Sequence, residues 1–293
     1  MRLGPRMFLA TTALAGAVAL AGPASAGIIS IATSATRVGT HAGNLVVNGS
    51  FETGNDGTNQ NWTGPGPHTA GSPGGPGVAI PGWTASYDSG AYGWWGSLGF
   101  AGAPCVDGVA CLYFGNWHST VSPARTFHAD GTVSFASPPT FTNDSASNAA
   151  PVVLSQVLSG LTIGDEYLLD FWTSGEGNDL VPPHDDFPLP GVFGLNIGAT
   201  DSAYLTVPAM GSEFLAATSI RYIVYFSADA TSETLSFTNW GHVYTFNPLS
   251  VVANTELVLD DVIVNHVPEP ATVTLFGFGI LGLGAIRRRK AAK

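Results

Sequence analysis

The sequence predicts an all-β protein, an antiparallel β-sandwich, on three observations. Its apolar segments are short and rich in Val, Leu, Phe, Tyr and Thr, and several alternate between apolar and polar residues. Gly, Pro, Asn and Asp fill the gaps between them, in a chain of 293 residues with 37 Gly and 20 Pro. No stretch between residues 27 and 266 carries an apolar stripe of period 3.6 over three turns, so helices are not expected there.

The predicted strands follow this pattern along the chain. The clearest alternation comes last, over Glu256–Asn265, where only the adjacent Asp260 and Asp261 break it. Two loops rich in Gly and Pro, Asn55–Pro81 and Gly175–Pro190, are interpreted as long insertions in one sandwich. The strands are predicted at Asn44–Phe51, Ala110–Phe114, Thr132–Ala136, Val152–Leu158, Glu166–Thr173, Gly191–Ile197, Ala203–Val207, Ile220–Phe226, Thr234–Thr238 and Glu256–Asn265.

The first 26 residues have the pattern of a secretory signal peptide. Arg2 and Arg6 precede an apolar run, and Ala24-Ser25-Ala26 follows it as a small-residue cleavage site. The alternative, a transmembrane anchor, is disfavoured because the apolar run is short. We therefore expect signal peptidase to remove residues 1–26 and the mature chain to begin at Gly27 and fold outside the cytoplasm.

The other end of the chain, residues 267–293, is predicted to be a membrane-anchored tail. After Pro268-Glu269-Pro270, the apolar run 271–286 spans about 24 Å as a helix, slightly less than the ~30 Å core of a bilayer. Residues 287–293 contain three Arg and two Lys, which remain cytoplasmic by the positive-inside rule. The sequence thus predicts one C-terminal transmembrane helix, with residues 27–266 outside.

These tail elements, in this order, resemble the PEP-CTERM sorting tail of bacterial exported proteins. The resemblance implies recognition by an exosortase, an integral-membrane transpeptidase that cleaves near Pro268, Glu269 and Pro270. It also implies a bacterium that makes exopolysaccharide. We therefore expect an exported protein, held briefly in the inner membrane and then delivered to the cell surface or the extracellular space.

With both ends set aside, the remaining chain is strongly acidic. Residues 27–266 contain three cations, Arg37, Arg125 and Arg221, against 20 carboxylates, which leaves a net charge of −17. Such a surface repels phosphate backbones, so nucleic acid is excluded as a partner. The carboxylates are also numerous enough to supply oxygen ligands for Ca²⁺.

The two cysteines, Cys105 and Cys111, are predicted to form a disulfide. An even pair in an exported chain indicates a disulfide, and Asp107-Gly108 between them is a hairpin-turn signal. Closing so small a loop stabilises the fold by roughly 2 kcal/mol. The alternative is a metal or redox pair, for which no pair of histidines lies nearby.

A second resemblance covers most of residues 44–265. The segment Asn44–Glu52 (NLVVNGSFE), the turn Ile80–Trp83 (IPGW), the segment Leu154–Phe171 and the segment Leu259–Val262 (LDDV) are similar in order to galactose-binding-like jelly rolls. Carbohydrate-binding modules share this architecture. The resemblance implies a jelly-roll β-sandwich, departing from the compact form of the family through its long loops.

The same resemblance implies a structural Ca²⁺ ion held by Glu52 and Asp260. Two strand-borne carboxylates brought together repel each other unless a cation neutralises them, which agrees with such a site. The alternative is that both are solvated charges at strand ends.

Exposed aromatic rings are the candidate glycan contacts. Tyr92, Trp94 and Trp95 lie among small residues, and adjacent Trp94 and Trp95 in an extended chain point to opposite faces. Both cannot be buried in one core layer, so one of them is expected at the surface. The alternative is that these rings seal the end of a large sandwich.

Three classes of function fit these features. The leading hypothesis is an exported surface or extracellular-matrix protein that binds exopolysaccharide or other glycans. The alternatives are a purely structural matrix or adhesion protein, and a glycan-active hydrolase. The sequence contains no G-x-S-x-G and no H-E-x-x-H, and its His118-Ser119 and His184-Asp185-Asp186 clusters are weak, so no catalytic residue is predicted and an enzyme is not expected.

Overall fold

The computed structural model describes the residues that form the predicted sandwich. These are residues 27–58, 60–61, 79–86, 91–96, 105–122, 125–143, 151–176, 191–199, 201–207, 220–242, 244–246 and 250–268. Within these ranges all regular structure is β, and no helix is long and apolar enough to cross a membrane. The predicted signal peptide, the apolar run 271–286 and its basic end lie outside the described residues, as do 62–78 and 177–190 of the two predicted loops.

The strands are numbered in chain order. They are β1 (Gly27–Ser34), β2 (Gln60–Asn61), β3 (Thr84–Ser86), β4 (Ala91–Gly96), β5 (Cys111–Ser122), β6 (Arg125–Phe127), β7 (Val133–Phe135), β8 (Thr140–Asn143), β9 (Val153–Ser159), β10 (Glu166–Glu176), β11 (Gly191–Ile197), β12 (Asp201–Val207), β13 (Ile220–Ser227), β14 (Ser232–His242), β15 (Tyr244–Phe246) and β16 (Ser250–His266).

Two antiparallel sheets carry the fold. Sheet A has the order β1-β13-β10-β16-β5-β4-β2, with β8 beside β5 and β15 beside β16. Sheet B has the order β12-β11-β14-β9-β3, and β6 and β7 form a separate hairpin. From β9 to β16 the chain crosses repeatedly between the sheets, which is the connectivity of a jelly roll. The predicted fold class, an antiparallel jelly-roll β-sandwich, is confirmed.

The inward faces of both sheets meet in one apolar core. Phe171 of β10 packs edge-on against Phe237 of β14, with ring centroids 5.0 Å apart, and Phe237 also meets Phe193 of β11 at 6.2 Å. All three rings are fully buried. Because these rings come from both sheets, they join the two layers of the sandwich.

One predicted strand, Asn44–Phe51, is wrong, because this segment is a series of turns. Asn48 and Phe51 adopt positive φ angles of 53° and 60°, which interrupt an extended chain. The segment nevertheless lies along β16, since Leu45 N donates to Val264 O at 2.9 Å and Val262 N donates to Gly49 O at 2.9 Å. A Cβ atom at residue 49 would overlap the carbonyl oxygen of Val262, so this close approach requires glycine.

A β-bulge explains why the two aspartates break the alternation of β16. Asp170 of β10 pairs with Ile263 and Trp172 pairs with Asp260, so Asp261 and Val262 together face a single residue of β10. Asp261 has a positive φ of 52°. Core-facing residues therefore shift by one position, from 257 and 259 before the bulge to 262 and 264 after it.

The bulge directs Asp261 into a cluster of ion pairs on the outer face of sheet A. Arg221 Nη1 lies 2.6 Å from Asp170 Oδ1, and its Nη2 lies 2.6 Å from Asp261 Oδ2. Arg37 donates to Asp261 at 2.8 Å and to Asp107 at 3.1 Å. Burial opposes ionisation of Asp261, but hydrogen bonds from both arginines hold the pKa of its carboxyl below the ordinary value.

We expect Arg221→Met to destabilise the protein far more than Arg37→Met. The Arg221 side chain is 9% exposed, and its loss leaves buried Asp170 without a counter-charge and removes one of the two arginines that bond to Asp261. The Arg37 side chain is 37% exposed. The expected losses in unfolding free energy are about 3–5 kcal/mol for Arg221 and about 1 kcal/mol for Arg37. Urea unfolding with the disulfide intact measures both, and equal losses would contradict the buried role of Arg221.

Candidate functional site

The predicted disulfide between Cys105 and Cys111 is present and closes a short loop. The Cα atoms are 5.4 Å apart, and the loop turns at Gly108, which has a φ of 70°. Asp107-Gly108 is therefore the turn that the sequence predicts. The loop leads directly into β5, so it lies beside the strands that pair with β16.

Glu52 and Asp260, the residues predicted to bind calcium, hold this loop from its two sides. Asp260 Oδ2 accepts hydrogen bonds from the backbone N–H groups of Val106 and Asp107, at 2.7 and 3.0 Å. Glu52 Oε1 accepts from the N–H groups of Val109 and Ala110, both at 2.6 Å. The two carboxylates thus accept hydrogen bonds from four backbone N–H groups of the loop, which lie outside the β-ladders.

This donor set does not fit the calcium ion that the resemblance implies. Ca²⁺ takes six to eight oxygen ligands, whereas the atoms facing these carboxylates are N–H donors. Among the described residues, the metal-capable group around Asp260 contains only Cys105 and Cys111 besides it, and their sulfurs are bonded to each other. In this structure the loop amides stand where the cation was expected, and Glu52 and Asp260 act as a clamp.

Asp260 is fully buried behind the loop. Burial raises the pKa of its carboxyl to about 8, although hydrogen bonds from the N–H groups of Asp107, Val106 and Asp261 oppose the shift. Burial thus favours the protonated form and the N–H bonds favour the carboxylate, and the disulfide loop covers the group.

A second group that could hold a metal is already occupied by a side-chain cation. His41, Asp107 and Asp261 place ligand atoms close together, with His41 Nε2 3.0 Å from Asp261 Oδ1. Arg37 bonds to the same two carboxylates. The guanidinium offsets one of their two negative charges and Arg221 also bonds to Asp261, so this group belongs to the ion cluster on the outer face of sheet A.

The structure corrects one of the three predicted glycan contacts. Trp95 is 0% exposed and its Nε1–H donates to Phe51 O at 2.6 Å, so its ring fills the core and cannot stack on a sugar. The backbones of Tyr92 and Trp94 pair with Gly115 and Tyr113 of β5. Their side chains, and the cluster His184-Asp185-Asp186, lie outside what the structure describes.

The outer face of sheet B carries aromatic side chains that the sequence analysis missed. Tyr204 of β12 and Trp240 of β14 lie on either side of β11, with ring centroids 6.2 Å apart in an edge-on arrangement. Phe135 of β7 meets Tyr204 at 4.8 Å. A Cβ atom at Gly194 would lie 2.6 Å from Trp240 Nε1, so the indole occupies the space above this glycine. We call Phe135, Tyr204 and Trp240 the aromatic row.

Arg125 lies over the Phe135 ring at the hairpin end of the aromatic row, 5.8 Å from its centroid, and the paired positions beside the row are mostly polar and carry no charge. Strand alternation places these positions opposite the core residues of each strand. Two rows of paired residues cross the five strands: Ser202, Asn196, Ser236, Ser155 and Thr84, and next to them Tyr204, Gly194, Thr238, Val153 and Ser86. None of these positions is acidic or basic. The outer members Ser202, Thr84 and Ser86 are exposed, and the central Ser236 and Thr238 are covered by their neighbours.

Tyr204 adds a hydrogen-bonding group to this face. Partial burial raises the pKa of its hydroxyl above the ordinary value, so the group stays protonated and able to donate at any physiological pH. The outward position of Tyr204 could have been predicted from the alternation Ala203-Tyr204-Leu205. The register that brings Trp240 across β11 toward it depends on pairing between distant segments.

Comparison with known proteins identifies the tail. The family described as "PEP-CTERM protein-sorting motif" matches residues 266–290. The chain is therefore an exported all-β protein with a PEP-CTERM sorting signal at its C-terminus, which marks it for processing by an exosortase. No curated protein matches the chain.

Solved structures with a similar fold include carbohydrate-binding domains. A structure titled "TmCBM61 in complex with beta-1,4-galactotriose" is 14% identical, with a TM-score of 0.38, covering 76% of this chain and 99% of the other. The N-terminal cellulose-binding domain of Cellulomonas fimi β-1,4-glucanase C is 17% identical, with a TM-score of 0.25, covering 64% and 91%. The enzymatically active domain of bacteriophage CBA120 tailspike protein 4 is 12% identical, with a TM-score of 0.31, covering 76% and 21%. Likenesses at this level do not define a ligand for this chain.

We expect the protein to lose stability as the pH rises from about 4 to about 8. Folding raises the pKa of Asp260 from 3.8 to about 8, so in this window the native state holds a proton that the unfolded chain has lost. Stability falls with pH wherever the native state binds more protons. Urea unfolding across this range should show the decline in the native protein and a smaller one in Asp260→Asn. Equal slopes in the two proteins would show that Asp260 is not the titrating group.

We also expect chelation of divalent cations to leave the melting temperature unchanged, because loop amides satisfy Glu52 and Asp260. Reduction of the disulfide should lower the melting temperature by several degrees, since it removes roughly 2 kcal/mol of loop constraint. Scanning calorimetry with EDTA, with a reductant and with both compares the two effects. A lower melting temperature in EDTA alone would establish a structural cation instead of the clamp.

Proposed function

We propose that this exported protein binds a neutral glycan on the outer face of sheet B. The observation that carries the proposal is the aromatic row beside two uncharged rows of hydroxyl and amide side chains. Sugar rings present C–H faces that pack on aromatic rings, and their hydroxyls pair with Ser, Thr, Asn and Tyr side chains.

The dimensions of the face suit a polymer. Neighbouring strands lie about 4.8 Å apart, so the five strands of sheet B span about 19 Å from the first to the last. An extended chain of several sugar units fits across that distance. The absence of charge on these positions favours an uncharged polysaccharide over one rich in uronic acids, because the rest of residues 27–266 is strongly acidic and repels anionic polymers.

The sorting signal supports a partner outside the cell. The PEP-CTERM tail supports delivery to the cell surface or beyond it, and the resemblance to such tails implies a bacterium that makes exopolysaccharide. Tyr92 and Trp94 of β4 are proposed as a second set of glycan contacts, on the sequence argument given above. A purely structural matrix role would need neither set.

The proposed role is binding without catalysis. Asp260 and Glu233 are described carboxylates with a raised pKa, as a general acid for glycoside hydrolysis would require. Burial raises the pKa of both carboxyls. Asp260 lies behind the disulfide loop, and Glu233 accepts hydrogen bonds from the backbone N–H groups of Asp229 and Ala230. Neither is placed to reach a glycosidic bond on the outer face of sheet B. A reducing-sugar release assay on exopolysaccharide should therefore show no product.

Affinity electrophoresis tests the binding face. The secreted protein should be retarded in gels that contain exopolysaccharide of the producing strain or a neutral galactan, and less so in gels with a polyuronate. Tyr204→Ala and Trp240→Ala should each weaken binding about tenfold, because truncating an aromatic anchor costs about 1–2 kcal/mol. Trp240→Phe should retain part of the affinity, since it keeps a ring over Gly194.

Two variants provide the matched comparison. Tyr225→Ala removes a half-buried tyrosine from β13 of sheet A, and Trp94→Ala tests the β4 site. The proposal requires that Tyr225→Ala binds like the native protein while melting temperatures stay close. Loss of affinity in Trp94→Ala alone would move the glycan site to β4, and unchanged affinity in every variant would exclude both faces. No retardation of the native protein would leave the structural matrix role.

A further inference from the structure

Both ends of the described chain emerge from the same end of the sandwich. Gly27, the first residue of β1, pairs with Ser227 of β13, and Ser227 pairs with Glu166 of β10. Val267 N, just beyond β16, donates to Glu166 O at 2.8 Å. These four strands are neighbours in sheet A, so the two chain ends are separated by three strand spacings, about 14 Å. We call this the terminal end of the sandwich.

The folded structure continues up to the sorting motif with no linker. β16 ends at His266, Val267 is still hydrogen-bonded to β10, and Pro268 opens the Pro-Glu-Pro motif. Near its end β16 pairs with β10 on one side as far as His266, and on the other side Val264 and Val262 bond to Leu45 and Gly49. A strand fixed on both sides has no slack, so the tail starts directly at the surface of the terminal end.

We propose that the terminal end faces the bilayer while the protein is anchored, with the strands of sheet A steeply inclined to the membrane. The predicted signal peptide joins the sandwich at Gly27 and the apolar run 271–286 joins it one short motif beyond Val267. Both membrane segments therefore leave from one end, and the outer face of sheet B is kept off the membrane and open to a polymer.

The surface chemistry of the terminal end favours release over retention. It includes the turn that precedes β10 and the turn 228–231, which contain Asp165 and Asp229 and no Lys or Arg, and Asp165 pairs with the exposed His266 at 2.9 Å. Ile163, 63% exposed, is the large apolar side chain of the first turn. An acidic end with one apolar residue gains little from anionic lipid and is repelled by it. Once the tail is cut, like-charge repulsion moves the protein away from the membrane.

Fluorescence quenching in vesicles tests this orientation without any processing enzyme. The full chain, made in a host that lacks the enzyme, is labelled at Ile163→Cys or at Ser86→Cys and reconstituted in phosphatidylcholine vesicles that carry headgroup nitroxides. Ser86 is exposed and pairs with Val153 at the opposite end of β9, about 20 Å away along the strand. The label at residue 163 should be quenched several-fold more strongly than the label at residue 86.

A spacer variant keeps the test independent of labelling artefacts. A flexible Gly/Ser insertion between Val267 and Pro268 should lower quenching at residue 163 to the level at residue 86. Vesicles with anionic lipid should quench residue 163 of this variant less than neutral vesicles do. Equal quenching of the two labels in the chain without the spacer would overturn the proposal. Strong quenching at residue 163 that appears only after the processing enzyme is added would overturn it too, because the terminal end would then contact the enzyme and not the lipid.

Discussion

Two adjacent buried carboxylates in the last strand determine where the irregular parts of this sandwich lie. The bulge in β16 takes Asp260 and Asp261 out of the alternation and gives each a different partner. Asp260 holds the disulfide loop through backbone amides, and Asp261 holds Arg221 and Arg37. A buried carboxylate left without a partner costs several kcal/mol. The positions of Asp260 and Asp261 in β16 therefore determine where the disulfide loop and the segment that carries Arg37 pack.

The same strand completes the fold. β16 lies between β10 and β5, and its partners on both sides come from much earlier in the chain. β16 is the strand that joins β10 to β5, so both parts of sheet A depend on residues 250–266. The sorting motif begins directly after β16. The segment that anchors the chain is therefore adjacent in sequence to the strand that closes the sheet.

The sequence predicted the regular parts of the fold well because they depend on local patterns. β9 to β14 follow from alternation and from the glycines, prolines and aspartates between the strands, and β11 coincides with its predicted bounds. The segment Asn44–Phe51 was mistaken for a strand because Leu45, Val46 and Val47 have strand character. Asn48-Gly49, a dipeptide typical of turns, was the signal against a strand, whereas the left-handed backbone of Phe51 has none. Glu52 and Asp260 bond to opposite parts of the same disulfide loop. The backbone amides that they bind belong to another segment of the chain, so alternation within β16 could not predict them.

The candidate binding face could not be predicted for a related reason. Tyr204, Gly194 and Trp240 belong to three strands, and their proximity is set by cross-strand register, which alternation within one strand does not contain. Gly194 shows how specific that register is. Its missing side chain creates the space that the Trp240 indole fills, and a one-residue slip would place Phe193 or Leu195 there instead. Those two residues would then leave the core, so the packing of Phe193 against Phe237 fixes the position of the aromatic row on the opposite side of the same sheet.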